Sequence, residues 1–210
     1  MANGVPMKRQ PADRPRSKET SARSRNGIIL KLVSGGQTGV DRAALDAAME
    51  CGLPVGGWCP RQRRSEDGAV PTHYPLQETA ARSYAVRTEW NVRDSDGTLV
   101  VVLDEISSGT RMTVAAARAQ GKPLKIEHLE PGGRQGLLSD ENSETEQVQS
   151  VVDWIHRHKI GVLNVAGPRG SSSPEVYPRA KHFLTLVLKS LCGIDGSRSA
   201  SRTTVPRRTS

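Results

Sequence analysis

The feature that most constrains the fold of this chain is a glycine-rich segment between an apolar run and an amphipathic helical pattern. The run is Ile28–Val33, the segment is Ser34–Gly39, and the helical pattern extends from Val40 until Gly52. An apolar run of this length that ends in glycines is typical of a buried strand followed by a tight turn. Because a strand, a turn and a helix in this order begin a βαβ unit, we expect a parallel sheet.

The same alternation recurs over residues 27–192, with no internal repeat. The sequence predicts further strands at Val55–Trp58, Thr98–Leu103, Leu124–Leu129 and Gly161–Val165. It predicts helices over Tyr84–Asp94, along Met112, Ala115, Ala116 and Ala119, along Val148–Ile155 and along Ala180–Leu191, and an exposed loop over residues 130–146. We therefore expect an α/β domain whose mostly parallel sheet of about five strands has helices on both faces.

The net charge of +8 lies outside this predicted domain. Residues 1–26 carry seven Lys and Arg against two acidic residues, and residues 193–210 carry four against one, so the stretch between them has 19 of each. Both basic tails are rich in polar residues and poor in apolar ones, so we expect them to be disordered. The neutral domain over residues 27–192 is not predicted to bind nucleic acid.

Cysteine content and hydropathy indicate the compartment. The chain has an odd number of cysteines (Cys51, Cys59 and Cys192), without the paired spacing of a disulfide framework or a metal cluster. No apolar run approaches the roughly 18 to 20 residues of a membrane helix, and the N-terminus has no signal-peptide pattern. We expect a cytoplasmic protein with no dedicated metal site, in which Cys59 is a small buried apolar residue.

The first candidate binding site is the glycine-rich segment after the first strand. Its glycines let the backbone approach a ligand closely, and a helix N-terminus offers free N–H groups and a positive dipole to a phosphate. The spacing matches neither GxGxxG nor GxxxxGK[ST], so a standard dinucleotide or NTPase fingerprint is absent. The alternative is a tight turn with no ligand. We predict contacts from Gly35, Gly36, Gln37, Thr38 and Gly39, and we expect Gly36→Val to block the ligand while leaving the fold intact.

Two further segments follow predicted strands at the same edge of the sheet. One contains Ser108, Gly109 and Thr110, and the other contains Arg169, whose guanidinium can hold a phosphate in a bidentate manner. Arg42, in the first helix, is either solvated or reaches the ligand. The alternative for Arg169 is a solvated surface arginine.

Other polar residues have simpler interpretations. Asp41 favours the dipole of the first helix, and Asp94–Asp96 are interpreted as turn and capping residues. Trp58, Cys59 and Ser65–Gly68 follow the second strand and are candidates for one wall of the pocket. No Ser/His/Asp triad, paired-carboxylate site or metal site is specified, so no catalytic residue is predicted.

Taken together, several segments resemble the family known as putative molybdenum carrier proteins, part of a wider group of Rossmann-like nucleotide-ligand binders. The segments are SGGQTGVDRAALDAA (34–48), GLPVGGWCPR (52–61), EDG (66–68), YPLQET (74–79), RTEWNVRDSDGTLV (87–100), SGTRMT (108–113), GKP (121–123) and LNVAGPR (163–169). The chain departs from the family where Ser108 replaces a frequent glycine, and residues 130–146 look like a longer insertion.

The resemblance implies a Rossmann-like homo-oligomer, a dimer or tetramer. Such a protein would hold molybdenum cofactor, or a related phosphorylated pterin or nucleotide, through the same loops. It would be a carrier rather than an enzyme. One alternative is an enzyme similar to the lonely-guy-type phosphoribohydrolases, whose PGGxGTxxE loop carries a glutamate where this chain has Thr113. Another is a nucleotide sensor that signals through the basic tails.

Overall fold

The computed structural model describes residues 29, 31–103, 106–129 and 140–193. Its strands are β1 (Lys31–Val33), β2 (Val55–Gly56), β3 (Trp58–Cys59), β4 (Arg64–Ser65), β5 (Gly68–Ala69), β6 (Gln77–Glu78), β7 (Gly97–Val102), β8 (Leu124–His128) and β9 (Val162–Ala166). Its α-helices are α1 (Val40–Glu50), α2 (Tyr84–Arg93), α3 (Ser108–Ala119), α4 (Asp140–His158) and α5 (Val176–Cys192). The predicted tails over residues 1–26 and 193–210 lie outside the described residues, except for Gly193.

The main sheet confirms the predicted α/β class. Five parallel strands lie in the order β2-β1-β9-β7-β8. All six residues of β7 are buried, as expected for a parallel strand covered on both faces. Leu99 and Val101 join a core with α1, α4 and α5, whereas Val100 and Val102 pack with Val114 of α3 on the other face. The domain therefore has the three layers of a Rossmann-like fold.

Helix α1 begins and ends as its sequence predicts. It follows Gly39, which has φ +78°, and its alanines form a fully buried face. At its C-terminus the N–H of Gly52 donates to Met49 O and the N–H of Leu53 to Ala48 O. Gly52 has φ +71°, the left-handed conformation that ends helices with this pair of bonds.

The strand predicted over Val55–Trp58 is divided in the structure. Val55–Gly56 belongs to the main sheet, whereas Trp58–Cys59 pairs with β6 in a separate two-stranded sheet. Gly57 lies between them at φ +126°, and a Cβ there would lie 2.2 Å from Ser34 O. The chain turns away at this glycine because only glycine combines that dihedral with that approach.

Two other predictions are wrong in part. Helix α3 is present, but its buried face is Thr110, Thr113, Val114 and Ala117, whereas Met112 is 40% exposed. The buried face of α3 includes two threonines, whereas hydrophobicity alone favoured the alanines as the buried residues. The loop predicted over residues 130–146 is wrong from Asp140, where α4 has already begun; residues 130–139 lie outside the description. No helix in the described part is long and apolar enough to cross a membrane.

Candidate functional site

The glycine-rich loop after β1 is packed against the protein's own segments. Gly36 has φ +72°, and a Cβ there would lie 2.5 Å from Leu76 Cδ1 and 2.8 Å from Val70 Cγ1. A Cβ on Gly39 would lie 2.5 Å from Pro168 O. These glycines permit close packing within the chain. A side chain at Gly36 would be strained by the positive φ and by these contacts, so we now expect Gly36→Val to destabilise the fold as well as to affect the ligand.

Two N–H groups, one in this loop and one at the start of α1, have partners within the protein. The N–H of Gln37 donates to Asp41 Oδ2 at 3.2 Å, and the N–H of Val40 donates to Pro168 O at 3.2 Å. Asp41 is 3% exposed, and its Oδ2 lies 3.3 Å from Arg87 Nη1. Burial raises the pKa of Asp41, while Arg87 and the Gln37 N–H oppose that rise. Asp41 thus holds the loop in place, in agreement with a structural role.

Three guanidinium groups converge beside the loop. Arg64 and Arg169 lie over the ring of Tyr84, at 5.1 and 4.5 Å from its centroid. Arg87 follows Tyr84 by three residues on α2, and its Nη1 occupies the space that a Cβ on Gly35 would need. Within the described part of the chain, neither Arg64 nor Arg169 forms an ion pair with a carboxylate. Both cations are held by the π face of the ring.

Two buried polar atoms beside the loop have no hydrogen-bond partner in the described residues. They are Gln37 Oε1 and Arg87 Nε. The other end of the Gln37 amide is engaged, because its Nε2 donates to Arg64 O at 2.9 Å. An unmet buried group costs about 1–3 kcal/mol. A ligand or water with both a donor and an acceptor would remove this cost.

The β4–β5 hairpin covers the loop through two carboxylates at its turn. Asp67 accepts from Arg42 Nη1 at 2.6 Å and from Arg42 Nη2 at 2.9 Å, while Arg42 Nε donates to Gly36 O at 3.2 Å. The hydrogen bonds from Arg42 lower the pKa of Asp67 to about 2. Glu66 accepts from Thr38 and Ser171. The structure therefore places Arg42 in an internal ion pair, and the 65–68 segment lies against the glycine-rich loop through Glu66 and Asp67.

The second predicted ligand loop is the first turn of α3. Ser107 is its N-cap, with Oγ accepting the N–H of Thr110 at 3.3 Å, and Ser108 and Gly109 are exposed. Because β9 lies between β1 and β7, this turn starts about 10 Å from the glycine loop at the usual strand spacing. No hydrogen bond joins the two loops among the described residues. Thr113, one turn further along, is buried at 4% exposure.

Sequence reasoning missed Arg64, Tyr84 and Arg87 as parts of the site. Tyr84 and Arg87 lie three apart in α2, a spacing that places two side chains on one helix face, and this was the available signal for that pair. No sequence signal marked Arg64, because it stands beside Arg61 and Arg63 in a polar stretch. Arg63 has a different role, donating to four backbone carbonyls of the 70–76 segment.

The remaining candidates are structural. Cys59 is fully buried as predicted, and burial raises the pKa of its thiol. Trp58 Nε1 donates to Asp94 Oδ2 at 2.7 Å, and Asp96 accepts the N–H groups of Gly161 and Val162. In the described ranges no group of three or more His, Cys, Asp and Glu side chains is arranged to hold a metal ion.

The fold and the site define a Rossmann-like α/β protein. Its glycine-rich loop follows β1, and three arginines lie beside that loop, in β4, in α2 and after β9. The chain belongs to the circularly permutated YpsA SLOG family, which it matches over residues 32–188. The central place of β9, the last strand in the sequence, agrees with a permuted order.

A solved structure supports the same assignment. The chain is 40% identical to a protein from Syntrophus aciditrophicus SB, whose 1.45 Å crystal structure carries the name "Putative molybdenum carrier protein". The similarity covers 77% of this chain and 96% of that chain, with a TM-score of 0.69. No curated protein matches. The family expected from the sequence motifs is thereby confirmed.

Proposed function

We propose that this protein is a non-catalytic carrier that holds a phosphate-bearing ligand beside the glycine-rich loop. The ligand class is molybdenum cofactor, or a related phosphorylated pterin or nucleotide. The observation that carries the proposal is the pair of guanidinium groups of Arg64 and Arg169 on the ring of Tyr84. Neither forms a salt bridge among the described residues, although the charge of Arg169 acts on Asp41 and Glu66. Cations placed in this way suit an incoming oxyanion.

The chemistry of the surrounding residues fits such a cargo. The guanidinium groups suit its phosphate, and the unpaired Gln37 Oε1 suits a ring N–H donor. Recognition of this kind runs through phosphate and ring and needs no bond between protein and metal. The name of the Syntrophus protein supports molybdenum cofactor as the first cargo to test.

The residue at the expected catalytic position supports a carrier over a hydrolase. Thr113 stands where the similar phosphoribohydrolases carry a glutamate, and it is buried in the face of α3 that packs on the sheet. A positioned general acid or base contributes about 10² to 10⁴ in rate. A threonine hydroxyl does not act as one near neutral pH. We therefore expect binding without cleavage of a nucleoside monophosphate.

Calorimetric titration with AMP and with inorganic phosphate tests the site. The double variant Arg64→Gln/Arg169→Gln should weaken both affinities by at least about tenfold, since a hydrogen bond to a charged group contributes about 1.5–3 kcal/mol. Arg118→Gln, at an exposed arginine of α3, is the matched control and should bind as the wild type does. Equal affinity in the double variant would refute the site.

Incubation with the same ligands tests the carrier assignment. We expect no release of base or phosphate from AMP or from a pterin phosphate. Turnover near 1 per second, within the ordinary range of enzymes, would instead establish the hydrolase. The homo-oligomer stays a prediction that native mass spectrometry can test together with the mass of any bound cargo.

A further inference from the structure

The carboxylate of Glu66 is held by donors from two strand-end loops. Its Oε1 accepts from Thr38 Oγ1 and, at 3.2 Å, from the N–H of Ser171; its Oε2 accepts from Ser171 Oγ at 2.7 Å. The N–H of Gly170 donates to Thr38 Oγ1 at 3.1 Å, which orients that hydroxyl proton toward the carboxylate. Two hydroxyls and a backbone N–H that converge on one oxyanion form a preorganised cradle.

Glu66 reaches this cradle from another part of the fold. It lies at the turn of the β4–β5 hairpin, whereas Thr38 belongs to the loop after β1 and Ser171 to the segment after β9. Thr38 is also one of the predicted ligand contacts. Carboxylate and phosphate oxygens use the same hydrogen-bond donors, so both cannot occupy the cradle at once.

We propose that Thr38 and Ser171 form an anion subsite for the phosphate of the cargo, and that Glu66 fills it in the ligand-free protein as a built-in competitor. This inference rests on the proposed function and deepens it. An incoming phosphate displaces the Glu66 carboxylate and loosens the turn of the β4–β5 hairpin, while Arg64, at the start of β4, stays on the ring of Tyr84. The two hydroxyls and the Ser171 N–H therefore have an anionic acceptor both before and after the exchange.

The contacts of the hairpin allow such a release. Glu66 is exposed, and the other carboxylate tie, Asp67 to Arg42, has its Asp67 side chain 45% exposed. The Arg42 side chain of that pair is only 14% exposed and binds both oxygens of Asp67, so this tie holds the hairpin while the Glu66 carboxylate, at the surface, exchanges with phosphate. The hydrogen bond from Gln37 Nε2 to Arg64 O stays in place, and Gln37 Oε1 is the end of the amide available to the cargo. Displacement of Glu66 thereby links phosphate binding to loosening of the hairpin turn.

The variant Glu66→Gln tests the competition, with inorganic phosphate as the probe in calorimetric titration at fixed pH. A neutral amide is a weaker competitor and repels phosphate less, so we expect about 5- to 30-fold tighter binding than in the wild type. Glu89→Gln, which removes the same charge at an exposed site on α2, should leave the affinity unchanged. Adding Ser171→Ala to Glu66→Gln should cancel part of the gain.

Hydrogen exchange provides a readout that needs no variant. Saturating the wild type with phosphate should speed exchange of the backbone amides in Ser65–Ala69, and unchanged exchange would count against displacement.

Equal phosphate affinity in Glu66→Gln and the wild type, with binding still lost in Arg64→Gln/Arg169→Gln, overturns the competitor while the proposed function stands. No phosphate binding by any form, Glu66→Gln included, overturns both.

Discussion

Replacing Arg87 by methionine should destabilise the domain because it leaves a buried carboxylate without its counter-ion. Arg87 Nη1 lies 3.3 Å from Asp41 Oδ2, and the two side chains are only 12% and 4% exposed. Asp41 then keeps the N–H of Gln37 as its nearest donor. Removing one partner of a buried ion pair typically costs 3–5 kcal/mol, a large share of the roughly 5–15 kcal/mol that stabilises a domain.

The destabilisation should depend on pH in a defined direction. Burial already raises the pKa of Asp41 above its ordinary value of 3.8, and Arg87 opposes that rise, so the variant has a still higher pKa in the folded state. A carboxyl whose folded pKa exceeds its unfolded pKa loses stability as the pH rises from the unfolded value through the folded one. The variant should therefore lose less stability near pH 4, where Asp41 takes up a proton, than at pH 8.

Urea unfolding followed by circular dichroism at both pH values measures this difference. Lys181→Met is the control, because the Lys181–Glu50 pair is exposed and such pairs contribute about 0.2–1 kcal/mol. Adding Asp41→Asn to Arg87→Met should recover stability at pH 8 and abolish the pH dependence. A loss in Arg87→Met below about 1 kcal/mol at pH 8, or one that is equal at both pH values, would refute the reasoning.

Two further predictions concern the glycine loop and the domain boundaries. Gly36→Ala should lower the melting temperature more than Gly52→Ala. Both positions have positive φ, but only a Cβ on Gly36 meets other atoms, at 2.5 Å from Leu76. The left-handed conformation costs about 1–2 kcal/mol at each position, and overpacking adds about 1–3 kcal/mol at Gly36. Equal melting temperatures would mean that the 70–76 segment shifts to accommodate the added methyl group at little cost in stability. If the domain extends over residues 27–192 as predicted, deletion of residues 1–26 and 194–210, which keeps the left-handed Gly193 after α5, should leave the melting temperature and phosphate affinity nearly unchanged in scanning calorimetry and titration. A large loss of either would show that a tail docks on the domain.

Much of the fold could be read from local patterns. The apolar run before Gly35, the alanine face of α1 and the glycine at its end each depend on residues a few positions apart. Hydrophobic periodicity and helix-ending signals act over that range, and for this reason the strands, helices and α/β class were predictable. The motifs between residues 34 and 169 were also sufficient to identify the family.

The arrangement of the site depended on contacts between distant parts of the chain. Arg87 pairs with Asp41 across 46 residues, and Ser171 donates to Glu66 across 105. No local pattern shows that Arg42 is engaged by Asp67, or that Gly36 packs closely against Leu76. Strand β9, the last in the described residues, enters between β1 and β7. That insertion separates the glycine-rich loop from the first turn of α3 and brings the Arg169 segment against Gly39. Periodicity sets which elements form, whereas their order in the sheet follows from the burial of apolar faces over the whole domain, and that order decides which polar side chains meet.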